Sequence, residues 1–428
     1  MMRSNNLIRL LGAGIGILLC VWGVWSAGAV GVSKLYLEYA LAVGSLPHAD
    51  EAALRSPSDP EAHYARALLL RDKGNLAEAI SEFEQAVRLR PRDYVFWYEL
   101  ALARDSAEDA PGAIAACEES VRLAPYYGRT HWLLGNLLYR AGRLDEAFTE
   151  LRRAASSDAE FLPSLIDLAW GTYGADARAV QDTVQPQTND SRIALAKFFA
   201  QKGKFEEAIA LFNAAEGDAA KTFRSQLLTK LLDAGHFKEA YEIWSAGRQA
   251  SATESKGGIN QITDPGFEGT IKLNEPGFGW HQQGNPDNVR ISLDTSDPQG
   301  GTRSLLINYN GNANPSSPIL SQIVLVEPDT RYNLRFYART KDVVTGGPPQ
   351  IGVTDATGPD EGRTLKTVAL SEKTDPWREY SLEFTTRNRT QAIVINLTRQ
   401  NCSINPCPIF GDLWIDNFSL QKLASPPQ

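Results

Sequence analysis

The stretch GNLAEAISEFEQAVRLRP, residues 74–91, decides the fold. A glycine opens it and a proline closes it. Between them Ala79, Phe83 and Ala86 recur at steps of four and three, the spacing of one helix face. Moving 34 residues on gives Ala113, Cys117, Ser120 and Pro125, and a second step of 34 gives Gly142, Ala147, Leu151 and Ala154. The same spacing returns at Gly203, Ala208, Phe212 and Ala215, and at Gly235, Ala240, Trp244 and Gly247. Small alanines permit close helix contact, a large apolar residue fills the groove between helices, and the proline stops the second helix.

These residues and their period resemble the tetratricopeptide repeat family, a solenoid of helix pairs. Repeats start at Pro60, Tyr94, Gly128, Leu162, Asn189 and Lys221. The unit from Leu162 to Thr188 has only 27 residues and lacks the glycine, alanine and phenylalanine in register, which leaves its second helix unassigned. The resemblance implies a concave groove formed by the first helix of each repeat. Carried over, its positions include Tyr64, Arg71, Tyr98, Trp132, Asn136, Tyr139 and Arg140. Asn136 and Arg140 sit where some family members clamp a terminal carboxylate, but Tyr64 stands in place of the clamp's first lysine. An aromatic-rich groove of this kind suits an extended or helical apolar peptide, so a protein partner is expected.

Composition changes abruptly further on. Residues 60–250 hold 36 alanines and 6 prolines, and residues 259–428 hold 6 and 15. Threonine runs the other way, 7 against 16. Alanine favours helix, while threonine and other β-branched residues suit strands. The seam ASATESKGG, residues 250–258, is small and polar, as linkers are. Beyond it Val289, Ile291 and Leu293 alternate with Arg290, Ser292 and Asp294, and Tyr332, Leu334, Phe336 and Ala338 with charged or polar neighbours. About ten such strands, separated by Pro, Gly and Asn, predict an antiparallel sandwich. The expected plan is therefore 1–32 membrane segment, 33–59 helical cap, 60–250 α-solenoid, 251–258 linker and 259–424 β-sandwich.

The sandwich opens with Asp264-Pro265-Gly266-Phe267-Glu268, follows with Gly279-Trp280 and closes with Trp414-Ile415-Asp416-Asn417-Phe418. This pairing resembles the jelly-roll carbohydrate-binding modules appended to xylanases and cellulases. The resemblance implies a structural calcium ion held by Glu268 and Asp416, and carboxylates with backbone carbonyls suit such a cation. The alternative is that both acids cap turns or accept loop amides. A sugar would need exposed aromatic faces beside amides. Tyr309, Trp280, Trp377 and Tyr380 are the candidates, with Asn308, Asn310 and Gln282 as hydrogen-bond partners. Tyr309 is the expected surface residue of the set, while the core is the more expected place for Trp280 and for Trp414.

Residues Leu10 to Val32 run 23 positions without a charge, long enough to cross a hydrocarbon core. Arg3 and Arg9 precede them, so the positive-inside rule predicts a single-pass inner-membrane helix with a cytoplasmic N-terminus and an exported, periplasmic bulk. A cleaved signal peptide is the rival, given Ser26-Ala27-Gly28-Ala29, but the apolar run outlasts the usual ~7–15 residues. In such a compartment Cys402 and Cys407 are expected to pair as a disulfide.

The net charge of −8 argues against a nucleic-acid partner. Five histidines and four cysteines offer little to a metal enzyme, and no nucleophile elbow, zinc or phosphate-binding motif is present. The expected protein is a membrane-anchored scaffold, not an enzyme. Its groove takes a protein and its sandwich a glycan, in cell-envelope polysaccharide assembly or export. The rival is a glycan hydrolase or lyase built on the sandwich.

Overall fold

The computed structural model describes residues 21–22, 28, 31–246, 258–282, 288–312, 318–357, 363–402 and 406–424. It divides into two compact units, 1–198 and 199–428.

In the first unit, residues 31–43 are helical (α1) and are followed by α2 (Leu46–Arg55). Antiparallel pairs come next: α3 (Pro60–Asp72) with α4 (Leu76–Leu89), α5 (Tyr94–Ser106) with α6 (Ala110–Leu123), and α7 (Gly128–Arg140) with α8 (Leu144–Ser157). A 3-10 turn (Ala159–Phe161) leads into α9 (Leu162–Thr172) and α10 (Ala177–Val184). The irregular fourth repeat thus has its second helix, shortened to 8 residues. Helix α11 (Asn189–Gln201) crosses into the second unit, which continues with α12 (Phe205–Asn213), α13 (Asp218–Asp233) and α14 (Phe237–Ala246).

The local chemistry explains these boundaries. Asp59 and Asp93 cap α3 and α5 by accepting the amides of Glu61 and Val95 at 3.0 and 3.1 Å. Gly74 and Gly142 turn the chain with φ of +82° and +77°, a region glycine enters without steric cost. In the second repeat the equivalent position is Glu108 at φ +61°. The recurring small residues are buried: Ala79, Phe83, Ala86, Ala113, Cys117, Ala147, Leu151 and Ala154 are all sealed from solvent. Helices α7 and α8 approach so closely that a Cβ on Gly135 would run into Leu151. Burial pushes the Cys117 thiol up to about 12, so it stays protonated and inert.

The second unit carries a two-sheet antiparallel sandwich. Its strands are β1 (His281–Gln282), β2 (Val289–Asp294), β3 (Ser304–Asn312), β4 (Leu320–Leu325), β5 (Arg331–Thr345), β6 (Pro349–Asp355), β7 (Thr364–Ala369), β8 (Thr374–Thr385), β9 (Ala392–Arg399) and β10 (Pro408–Lys422). They assemble as β1-β4-β9-β6-β7 and β2-β3-β10-β5-β8. Alternation along each strand aims Leu305, Ile307, Leu334, Phe336, Ile393, Ile395, Leu413 and Ile415 into one shared core. In the same unit Trp244 of α14 packs on Phe278, with ring centroids 5.7 Å apart. Gly277, at φ +137°, admits that indole where any Cβ would collide with it.

Cys402 and Cys407 form a disulfide. The expected linker at 251–257 lies outside the described residues, as does most of Leu10–Val32. The expected membrane localisation is corrected: among the described residues no helix is long and apolar enough to cross a membrane. The composition of a 23-residue stretch suggested a span, and the described helices do not supply one.

Candidate functional site

The expected groove residues of the solenoid are brought to the first helices of successive repeats, and most are engaged with neighbours. Tyr64 stacks on Phe96 of the next repeat at 4.9 Å, and burial pushes its phenol up to about 12. Arg71 pairs with Glu99, and Arg140 reaches both oxygens of Asp105 at 2.7 Å. Asn136 bonds back to the Trp132 carbonyl at 2.7 Å, while Trp132 stacks on Phe161 at 4.9 Å. Tyr139 meets the Thr172 hydroxyl at 3.1 Å, and Tyr98 is half-buried, which raises its phenol. The surface is therefore aromatic but pre-stacked. Arg140, exposed and held by one carboxylate, is the member best placed to exchange that carboxylate for another.

On the sandwich, three expected sugar contacts are corrected. Tyr309 is only 2% exposed, and Trp280 and Tyr380 are buried with it. Trp280 lies among Phe267 and Phe418 and donates its indole N–H to the Asp264 carbonyl at 3.1 Å. Tyr380 stacks on Phe336 at 5.4 Å. The reason is alternation: Asn308 and Asn310 are exposed, so the tyrosine between them points inward.

The outer face of β2-β3-β10-β5-β8 is where the remaining candidates meet. Across it Phe410 pairs with Asn310 and Val344, Asp412 with Asn308 and Lys341, and Trp414 with Leu306 and Arg339. Phe410 is 47% exposed. The Asn308 amide donates to Asp412 at 2.5 Å. Beside this row the Arg339 guanidinium lies between two indoles, 4.5 Å from Trp414 and 5.2 Å from Trp377. Arg339 also pairs with Asp297 at 2.5 Å, and Trp377 donates to the Asp297 carbonyl at 3.1 Å. Trp377 is thus held in place and half-buried, an oriented aromatic ring beside the Arg339 and Asp297 charges. Phe410 and Arg339 were not among the sequence candidates, and Trp414 is buried against Arg339. The opposite face carries a polar row, His281, Ser321, Asn396, Gly352 and Thr367, and none of its described strands contains Phe, Tyr or Trp.

Glu268 and Asp416 converge on the loop between β2 and β3. Glu268 accepts the Thr302 amide at 2.8 Å, the Thr302 hydroxyl at 2.5 Å and the Arg303 amide at 3.2 Å. Burial works against its charge, but these bonds prevail and hold the carboxyl below its usual range. Asp416, fully buried, accepts the amides of Gln299, Gly300 and Asn417 at 3.0, 3.2 and 2.7 Å. Its carboxyl is pushed up, first by burial and also by the charge of Glu268, with the loop amides opposing. Two hard oxygen donors under mutual repulsion fit a cation chemically. The amides already use much of their capacity, and among the described residues no group of three or more His, Cys, Asp or Glu side chains gathers there.

Comparison with known proteins separates the two parts. Residues 44–93, 64–128, 98–160 and 173–222 match the tetratricopeptide repeat family model. Residues 260–403 match the model of a carbohydrate binding domain. Among curated proteins the chain is 32% identical over 104 residues to a TPR repeat-containing thioredoxin of Arabidopsis thaliana. It is 26% identical over 146 residues to protein FlbA of Caulobacter vibrioides. The matches cover 24% and 32% of this chain but only 15% and 24% of those relatives. Among solved structures, MamA from Desulfovibrio magneticus is 20% identical, covering 45% of this chain and 96% of its own, with a TM-score of 0.29. A xylan-binding domain from Paenibacillus barcinonensis is 13% identical, covering 38% and 93%, with a TM-score of 0.28. At those scores neither structure adds to the family-model matches.

Proposed function

We propose that the chain is an adaptor that holds a protein partner in the repeat groove and a glycan on the outer face of β2-β3-β10-β5-β8, and that it is not a catalyst. A protein-interaction repeat region joined to a carbohydrate-binding module fits a scaffold or adaptor. The observation that carries the glycan reading is the oriented Trp377 ring on an outer face that also presents Phe410, Asn308 and Asn310. Sugar rings present C–H faces that stack on aromatic rings, and their hydroxyls pair with amides and charges. In the finer form of this reading, the glycan is a polymer under assembly or export and the groove partner belongs to the same machinery.

A glycan array probed with the full chain tests the proposal. Binding is expected to one class of polysaccharide, to be lost in W377A and F410A, and to persist in Q350A on the opposite face. Loss in Q350A alone would move the site to that face, and release of reducing ends from bound polymer would make the chain a hydrolase.

Calcium belongs to the same proposal. Glu268 and Asp416 would hold the ion with backbone oxygens, and it would supply positive charge that Asp416 now lacks. The melting temperature of the sandwich is then expected to rise several degrees on adding calcium after chelation, with no comparable rise in D416N. No shift in the parent chain would leave both acids as loop caps.

A further inference from the structure

His63 and His131 stand 68 residues apart, two repeat lengths, each at the fourth position of its helix, α3 or α7. Their surroundings are copies of one another. In each, Nε2 faces the carbonyl of the proline six residues earlier, Pro57 at 2.9 Å and Pro125 at 2.8 Å. In each, Nδ1 faces the carboxylate 19 residues later, Glu82 and Glu150, both at 2.6 Å. The second repeat keeps half of this device without a titratable group: Trp97 donates Nε1–H to the Pro91 carbonyl at 2.9 Å, again six residues earlier. Ala116 fills the carboxylate's place.

Both rings are enclosed, with His63 9% and His131 3% exposed. Only a doubly protonated imidazolium donates at both nitrogens. A neutral ring turns a lone pair toward one of two acceptors and leaves it without a donor. Water does not readily replace that donor at such burial.

We propose that His63 and His131 form a paired proton-operated clamp. When charged they pin the entries of the first and third repeats to the preceding prolines, and when neutral they loosen them, while Trp97 keeps the second repeat fixed. The charged neighbours agree. Glu82 on α4 faces His63 and is shared with Arg66 of α3 at 2.5 Å, which also pairs with Asp50 of α2 at 2.6 Å. Asp59 in the adjoining turn is occupied by the Glu61 amide. Glu150 on α8 faces His131 and is shared with Arg153 of the same helix at 2.5 Å, while the Cys117 thiol of α6, bonded to the Thr130 carbonyl, stays neutral.

The Glu82 and Glu150 hydrogen bonds raise both imidazoles above the ordinary value, against an opposing effect of burial. A folded pKa above the unfolded one stabilises the fold below about pH 6.5, and that gain is lost as pH rises through the folded pKa. The clamp also reaches the concave surface, because the next residues are Tyr64 and Trp132, stacked on Phe96 and Phe161.

The test is an NMR titration of the imidazoles in the full chain from pH 5 to 9, assigned with H63Q and H131Q. It is paired with urea unfolding followed by the helical circular dichroism signal. Two of the five imidazoles are expected to titrate with midpoints above 6.5, and the urea midpoint to fall between pH 6 and 8.5 in the parent chain but to stay level in the double variant. Midpoints for all five at or below 6.5, or an equal pH slope in the double variant, would overturn the clamp. Should the double variant not fold, the parent titration alone decides.

Discussion

Trp280→Ala is expected to unfold the sandwich, at a cost of about 3–5 kcal/mol, whereas Trp377→Ala leaves it folded and removes glycan binding. The two residues look alike in the sequence, each an aromatic in a polar stretch. In the fold, Trp280 fills the end of the core between Phe267 and Phe418, and its N–H is spent on the Asp264 carbonyl. Truncation leaves a ring-sized void and an acceptor without its donor. Trp377 stands on an outer face with one side of its ring toward Arg339, so its removal forfeits a cation–π contact and a single surface hydrogen bond, about 1 kcal/mol or less. Denaturant unfolding and polysaccharide binding on both variants separate the cases. A folded, sugar-blind Trp280→Ala would reverse the assignment.

Arg399→Met is expected to be as damaging, about 3–5 kcal/mol, although it replaces a charge by an apolar chain of similar length. Arg399 is 2% exposed, and burial pulls its pKa down. Its guanidinium donates to the carbonyls of Gly347, Cys407 and Pro408 at 3.2, 2.9 and 3.3 Å and to the Thr345 hydroxyl at 2.8 Å. It thereby ties the β5–β6 turn to the disulfide loop. Lysine is a poor substitute, since one ammonium cannot cover acceptors set in a planar fork. Opening the short Cys402–Cys407 loop is expected to cost less, about 2 kcal/mol by loop entropy. Chemical denaturation of R399M, R399K and C402S/C407S ranks them. Near-native stability in R399M would show that those carbonyls find other donors.

The solenoid was legible in the sequence because helix packing imposes a strict demand at fixed positions. Ala79, Phe83 and Ala86 recur where two helices must touch, and helices begin at Pro60, Tyr94, Gly128 and Leu162 as that period predicts, and at Asn189 after the shortened unit. The final repeat shows the limit, since α13 begins at Asp218, three residues before the expected Lys221. In the sandwich the strands were legible from alternation, but which face met the core was not. The Asn308-Tyr309-Asn310 triplet reads as a polar surface, yet polar residues on both sides of an aromatic are what an inward-pointing side chain requires. Phe410 and Trp414 share one face of β10 by simple alternation, but that this face looks outward beside Asn310 and Arg339 emerges only from the pairing with β3 and β5. The histidine clamp was visible in principle, as His63 with Glu82 and His131 with Glu150 both return after 68 residues. Trp97 and Ala116 interrupt the pattern in the middle repeat and hid it.

The central claim is that the outer face of β2-β3-β10-β5-β8 binds a glycan through Trp377. Native gel electrophoresis of the full chain in gels cast with a series of soluble polysaccharides measures this directly. The account predicts retardation in at least one polymer, at least tenfold weaker for Trp377→Ala, with unfolding of the variant unchanged. Equal retardation of the parent chain and the variant, or free migration of the parent chain in every polymer, would contradict it.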